Sequence, residues 1–324
     1  MATQSHYAGT APGQRQGSQT LKWAALAALL ALALAAPFQL YPVFLAKALC
    51  FALFACAFNL LIGFGGLLSF GHAMFLGTAG YATAHAAKVW GFPTEAAILF
   101  GTFCSFLLGV VTGALAIRRQ GIYFAMITLA LAQMLFFFYL QAPFTGGEDG
   151  IQAVPRGRLF GFLDLANIWN MYFTVAVVFL GGFLLVFRII YSPFGHVLQA
   201  IRENEPRAIS LGYNTAMYKF LAYVISATLA GLAGATKAIV FQLASLTDVH
   251  WTMSGEVVLI TLLGGMGTVF GPVAGALVII TMENYLAQLG AWVTVVQGVI
   301  FVLCVLTFRR GIVGEIANLI RKPL

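Results

Sequence analysis

The 324 residues are 61% apolar and only 8% charged, with 29 Phe, 35 Gly and a formal charge of +7. A mean hydropathy of +0.93 lies far above that of soluble domains, which are roughly 45–50% apolar, so the chain reads as an integral membrane protein of all-α class. Cys50, Cys56, Cys104 and Cys304 sit in apolar runs without CxxC spacing, which argues against a metal site or disulfide framework and makes them small packing residues.

Residues 1–20, rich in Gln, Gly, Ser and Thr, bury too little apolar surface to offset ordering entropy and are expected to be a disordered cytoplasmic N-terminus. Apolar runs of about the 20 residues a bilayer requires follow near 21–40, 43–62, 68–89, 94–117, 121–142, 169–190, 218–243 and 291–308. They predict about eight full transmembrane helices in one membrane domain over 21–308. The first run offers small-residue cleavage patterns after Ala33 or Ala35, but its full length fits a retained anchor better than a signal peptide. A ninth run, 255–282, is broken by Gly264, Gly265, Gly267, Gly271 and Pro272 in LLGGMGTVFGPVAGAL (262–277).

Of the 17 Lys and Arg, twelve fall on one side if the N-terminus is cytoplasmic and spans alternate: Arg15, Lys22, Arg118, Arg119, Arg188, Arg202, Arg207, Lys219, Arg309, Arg310, Arg321 and Lys322. The other side receives only Lys88, Arg156 and Arg158. The positive-inside rule therefore puts both termini and the 192–214 island in the cytoplasm. Lys47 and Lys237, near outer ends, are expected to snorkel. All five Trp fall at run ends, as in an interfacial belt. Parity holds only if 255–282 is a re-entrant pair of half-helices that starts and ends outside, bordering a pathway or merely packing. GGLLSFG (65–71) and GGMGTVFG (264–271) echo each other weakly, as breaks in two halves of an inverted repeat would.

The island SPFGHVLQAIRENEPRAISLGYN is soluble-looking. Phe194, Val197, Leu198 and Ile201 make one apolar helical stripe. Pro206 suits a first-turn position and Gly212 a C-terminal cap, so a second short helix should follow. The elbow, 192–217, exceeds what a plain helix connection needs, and reads either as a docking element or as an interfacial cap on the bundle. The tail, 309–324, reads as a short helix on the inner surface.

SFGHAMFLGTAGYATA (69–84), GIYFAMITLALAQM (121–134), TGGEDGI (145–151), the island, LAYVISATLAGLAGA (221–235) and LLGGMGTVFGPVAGAL occur in family order. Together they resemble the permease subunits of branched-chain amino acid ABC importers, the LivH/LivM type and more closely the LivM branch. The resemblance implies a bacterial inner-membrane protein that works with a second, LivH-like permease, two P-loop ATPase subunits and an extracytoplasmic solute-binding protein, with no nucleic acid involved. It implies that the elbow docks on an ATPase through Arg202, Glu203, Glu205, Ala208 and Gly212. Pro206 and Arg207 depart from the small residues usual there, and His196 stands where Arg is frequent. Glu148 and Asp149, in the outer loop 143–168, either meet the solute-binding protein or form a solvated loop tip.

No Gly-x-x-x-x-Gly-Lys-Ser/Thr loop occurs, so ATP is expected on partner subunits, and the chain itself is expected to carry no cofactor, metal or catalytic residue. Candidate pathway residues are Ser69, Gly71, His72, Thr128, Gln133, Ser226, Gly265 and Gly267, each also explicable as interhelical hydrogen bonding or packing. Small-xxx-small pairs such as Ala73/Gly77 and Ala230/Gly234 allow close helix approach. Two alternatives stay open. One is an ion-coupled secondary carrier, disfavoured because the ten Asp and Glu lie in loops or near run ends, Glu256 and Glu283 among them. The other is the same ABC architecture carrying urea, an amide or an aromatic acid.

Overall fold

A computed structural model describes residues 26–286, 290, 292–307 and 311–319; the expected disordered start, Trp23 and the last residues of the tail lie outside them. Among the described residues, five helices are long and apolar enough to cross a membrane: α2 with its π-helical extension (Pro42–Phe64), α4 (Thr94–Ala116), α5 (Ile122–Gln141), α6 (Ile168–Ile190) and α9 (Thr215–Phe241). With α1 (Leu26–Phe38), α3 (His72–Lys88) and α12 (Trp292–Thr307) they make the all-α, multi-pass membrane architecture that the sequence predicts. Of the expected runs that the described residues cover in full, 68–89 forms a helix shorter than the run, α3. In α3 the reason is local: 65–71 runs without helix, with Gly66 at φ +69°, so the helix starts only at His72.

The ninth run forms two helices, α10 (Trp251–Gly264) and α11 (Gly271–Leu286). Gly265 at φ +123° and Gly267 at φ +80° carry the chain around the tip, a conformation that L side chains resist. The tip lies beside Gly63, at the end of α2 that faces the elbow, helices α7 (Pro193–Glu203) and α8 (Glu205–Ser210). The far end of the hairpin joins the opposite face, where Glu283 meets Lys47 near the start of α2. We refer to these faces as the elbow side and the loop side. After α12, the start of α13 (Gly311–Leu319) returns to the hairpin tip: a Cβ on Gly311 would lie 2.3 Å from Gly265 Cα. The hairpin therefore starts and ends on one face, and α12 brings the chain back to the other. The two glycine echoes both lead into helices that start on the elbow side, α3 and α11, so inversion does not relate them.

The loop side holds structure the sequence did not announce. β1 (Ile151–Gln152) pairs antiparallel with β4 (Leu243–Ala244), and β2 (Arg158–Leu159) pairs with β3 (Leu163–Asp164). Lys88 donates to Gln152 O at 2.8 Å and Arg156 to Val240 O at 2.8 Å, which fastens the 143–168 loop to α3 and α9. Trp90, Trp169, Trp251 and Trp292 all mark loop-side helix ends.

In α2 and α9, 83% and 72% of the apolar window is buried, against 28–39% in α4, α5 and α6. Helices apolar all round belong in the centre of a bundle, and here α2 and α9 form that centre while the other three leave apolar flanks for lipid. Packing between α3 and α9 is backbone-close: a Cβ on Gly234 would stand 2.0 Å from Leu76 O. The small-xxx-small spacing therefore does a packing job here.

Candidate functional site

The hairpin tip is pinned by one side chain. Asn59, 2% exposed in α2, donates from Nδ2 to Thr268 O at 2.8 Å and accepts from Gly267 N at 3.0 Å. An amide carries both donor and acceptor, so this Asn pairs with the tip much as a strand neighbour would. One turn along, Gly63 O accepts from Arg202 of the elbow. Elbow, α2 and hairpin tip are thus tied in sequence. Arg202 also separates two cavities, one of about 500 Å³ toward Gln120, Glu205 and Lys219 and one of about 410 Å³ toward Gln199, Glu203 and Gly267.

Two residues back on α2, Ala57 O accepts from Ser226 Oγ at 2.5 Å, and Ser226 Oγ lies 2.8 Å from His72 Nε2. The serine hydroxyl has one proton, already given to the carbonyl, so the ring proton of His72 sits on Nε2 and points at Ser226. Phe58, Phe75 and Tyr223 surround the imidazole edge-on at 5.0–6.4 Å, and Nδ1 is buried without a hydrogen-bond partner among the described residues. The start of α3 is held from all sides. Phe70 N donates to Thr128 Oγ1 at 3.2 Å, Gly71 N to Ser69 Oγ at 3.3 Å and Ala73 N to Ser254 Oγ at 2.9 Å. These satisfy N–H groups that a helix start leaves open. Ser226→Ala is expected to lower stability by about 1 kcal/mol, read as a drop in melting temperature of the detergent-solubilised protein, because His72 Nε2–H then loses its acceptor.

Ser69, Gly71, His72, Thr128 and Ser226 therefore converge, Gly265 and Gly267 form the adjacent tip, and Gln133 joins neither. It stands five residues beyond Thr128, about 140° around α5.

In the elbow, Ser192 Oγ caps α7 by accepting from Gly195 N at 3.4 Å, and Asn204 caps α8 by accepting from Arg207 N at 3.1 Å. Asn204 is the cap, so Glu205 and Pro206 are the first two residues of α8, one position earlier than the sequence suggested. Leu198 and Ile201 of the expected stripe are buried; Phe194 and Val197 are half-buried. Glu205 turns inward to Lys219 Nζ at 2.6 Å, Ala208 is buried, Glu203 is exposed, and Gly212 takes φ +88° after the last turn. Ile209, Leu211, Tyr213 and Met217 are 56%, 69%, 42% and 49% exposed.

Residues 40–305 match the family described as branched-chain amino acid transport system, permease component. The chain belongs to this family. It is 26% identical over 313 residues to the high-affinity branched-chain amino acid transport system permease protein LivM of Escherichia coli, covering 89% of this chain and 74% of that one. The Salmonella typhimurium LivM is 25% identical over 78% of this chain and 65% of its own length. The ribose import permease protein RbsC of Bacillus subtilis is 28% identical over 56% of this chain and 58% of its own. No solved structure matches the chain. These relatives are transport permeases and not enzymes.

Within this permease, sequence reasoning missed Asn59 and Ser254. Asn59 carried a signal, as the lone amide of an otherwise apolar run; Ser254 had none, since a serine near a run end is ordinary. Lys47 and Lys237 were expected to snorkel. Instead Lys47 pairs with Glu283 at 2.8 Å and Lys237 with Asp248, because partners lie within reach on neighbouring elements.

Proposed function

We propose that this permease is a membrane subunit of an ATP-driven importer that carries branched-chain, hydrophobic amino acids across a bacterial inner membrane. It works with a second LivH-like permease, two P-loop ATPase subunits and an extracytoplasmic solute-binding protein; ATP binds to the partners. The elbow side faces the cytoplasm, in keeping with the distribution of Lys and Arg. Relatives named for amino acid transport and for ribose import support the import direction. The observation that carries the reading is the exposed apolar surface of the elbow: four large side chains close in sequence, Ile209, Leu211, Tyr213 and Met217, all stand exposed, as do Arg207 and Glu203. Such a face calls for a partner. ATPase closure moves α7 and α8, Arg202 carries that movement to Gly63, and Asn59 carries it to the hairpin tip beside the α3 start. Ser69, Gly71, His72, Thr128, Ser226, Gly265 and Gly267 border the path.

The double change Ile209→Asp with Leu211→Asp tests this. Both side chains are exposed, so folding is spared. Mild-detergent purification followed by mass spectrometry should recover P-loop ATPases and a second permease with the parent chain and lose the ATPases with the variant. Parent chain that purifies alone and moves amino acids down an ion gradient in liposomes would assign it to the ion-coupled carriers.

A further inference from the structure

The loop-side mouth of the hairpin gathers charges that the importer mechanism above does not use. Lys47 of α2, Lys237 of α9, Glu256 of α10 and Glu283 of α11 all lie three to five residues inside their helix ends, about 5–8 Å of helix. Asp248 joins them from the turn before α10. Lys47 pairs with Glu283 at 2.8 Å and Lys237 with Asp248. Both ammonium groups lie over the ring of Phe51, at 5.7 and 5.3 Å. Among the described residues, these two cations meet three carboxylates, and Glu256 is the one left without a cation of its own. It shares a side-chain hydrogen bond with Glu283 and lies within electrostatic reach of Lys47 and Lys237, while its buried Oε1 has no hydrogen-bond partner among the described residues.

A second open group points the same way. Tyr81 of α3 is 2% exposed, its hydroxyl has no partner among the described residues, and it lies in the field of Asp248. Buried polar groups without partners are rare and mark unmet binding capacity. The group is not sealed, with Lys47 34% and Glu283 24% exposed in their side chains.

Glu256 Oε1 is a buried oxygen without a partner beside the Glu283 carboxylate; Tyr81 O–H, in the field of Asp248, is a buried donor without an acceptor, and Lys237 carries N–H groups beyond the one it gives Asp248. We propose that this mouth is a recognition site for the charged ends of an α-amino acid, with the ammonium on Glu256 and the carboxylate on Lys237 and Tyr81. The assignment rests on the importer reading and narrows its solute to one that carries both charges, against urea or a neutral sugar.

The test uses the complex purified from its native membrane and reconstituted in liposomes. ATP-driven leucine uptake by the parent comes first, since its absence would fail the importer reading and this site with it. Competition then compares leucine with 4-methylpentanoate, which lacks the ammonium, and isopentylamine, which lacks the carboxylate. Glu256→Gln is expected to raise half-saturation for leucine on the order of tenfold and to erase leucine's advantage over 4-methylpentanoate, with melting temperature and ATPase association unchanged. Tyr81→Phe, which removes one oxygen, is expected to narrow leucine's advantage over isopentylamine, and it keeps the test decisive if Glu256→Gln does not fold. Unchanged half-saturation and competitor ranking in the folded variants would overturn the site and leave the importer reading standing. A Glu256→Gln defect that follows sodium concentration and not the competitors would give the carboxylate to a bare cation, and would also overturn it.

Discussion

Gly234→Val is expected to abolish accumulation of folded permease. A Cβ at this position would stand 2.0 Å from Leu76 O, 2.7 Å from its carbonyl carbon and 2.9 Å from its Cα. All three are backbone atoms of α3, so no rotamer change relieves the overlap. Relief requires α3 and α9 to separate, and α9 is one of the two central helices of the bundle. Separation would open the buried layer of Ala79, Ala235 and Ile239 and pull the α3 start from Ser226, Thr128 and Ser254. Forcing bulk into a packed core costs about 1–3 kcal/mol when side chains can yield; here only backbone can, so the loss belongs in the class above about 4 kcal/mol. Membrane-fraction yield and a size-exclusion profile check it. Gly181→Ala is the control: it lies on the exposed flank of α6 with nothing within 4 Å of the added carbon, and it should fold as well as the parent.

What could be read in advance, and what could not, divides along sequence separation. The hairpin break was legible because Gly265 and Gly267 impose their conformation locally. The elbow was legible because charge interrupts a hydrophobic pattern, and helix-cap residues act within a turn. The strand pairs were not, since two-residue strands carry no alternation and β1 finds β4 about 90 positions away. The charged mouth was hidden for the same reason. Each of Lys47, Lys237, Glu256 and Glu283 looks interfacial when judged by its distance from a run end, and only the packing of four helices turns separate edge charges into one group. Carboxylates grouped this way inside helix ends do not by themselves set the chain apart from ion-coupled carriers. Membership of the permease family does. Among the expected pathway residues, those beside a helix break came together, because breaks expose backbone groups that neighbours must satisfy. Gln133, in mid-helix, had no such demand on it.

Asn59→Leu is expected to cut transport far more than its cost in stability would suggest. The side chain keeps the same branched set of four heavy atoms in a bulkier, apolar form, so the change removes the hydrogen bonds to Thr268 O and Gly267 N without opening a cavity. Each lost bond is worth about 0.5–1.5 kcal/mol, and the freed groups of the tip must find other partners, so the total falls near 1–3 kcal/mol. The spans α2 and α9 keep their packing, and the protein should remain folded with a modest drop in melting temperature. Transport is a different matter. On the proposed mechanism the elbow acts on the hairpin through Arg202, the Gly63 carbonyl and Asn59, and Asn59 is the link between α2 and the tip. Without it, ATPase closure should still move the elbow while the tip lags, so ATP hydrolysis continues and uptake falls by about tenfold or more, equivalent to a coupling energy of roughly 1.4 kcal/mol. Asn59→Asp keeps the acceptor for Gly267 N and loses the donor to Thr268 O, and should fall between Leu and the parent. The ratio of ATP hydrolysed to leucine moved, measured in liposomes for all three proteins, separates the two roles. A ratio that stays constant while both rates decline with melting temperature would make Asn59 a residue of stability alone, and the path of coupling would have to run through the cavities beside Arg202 instead.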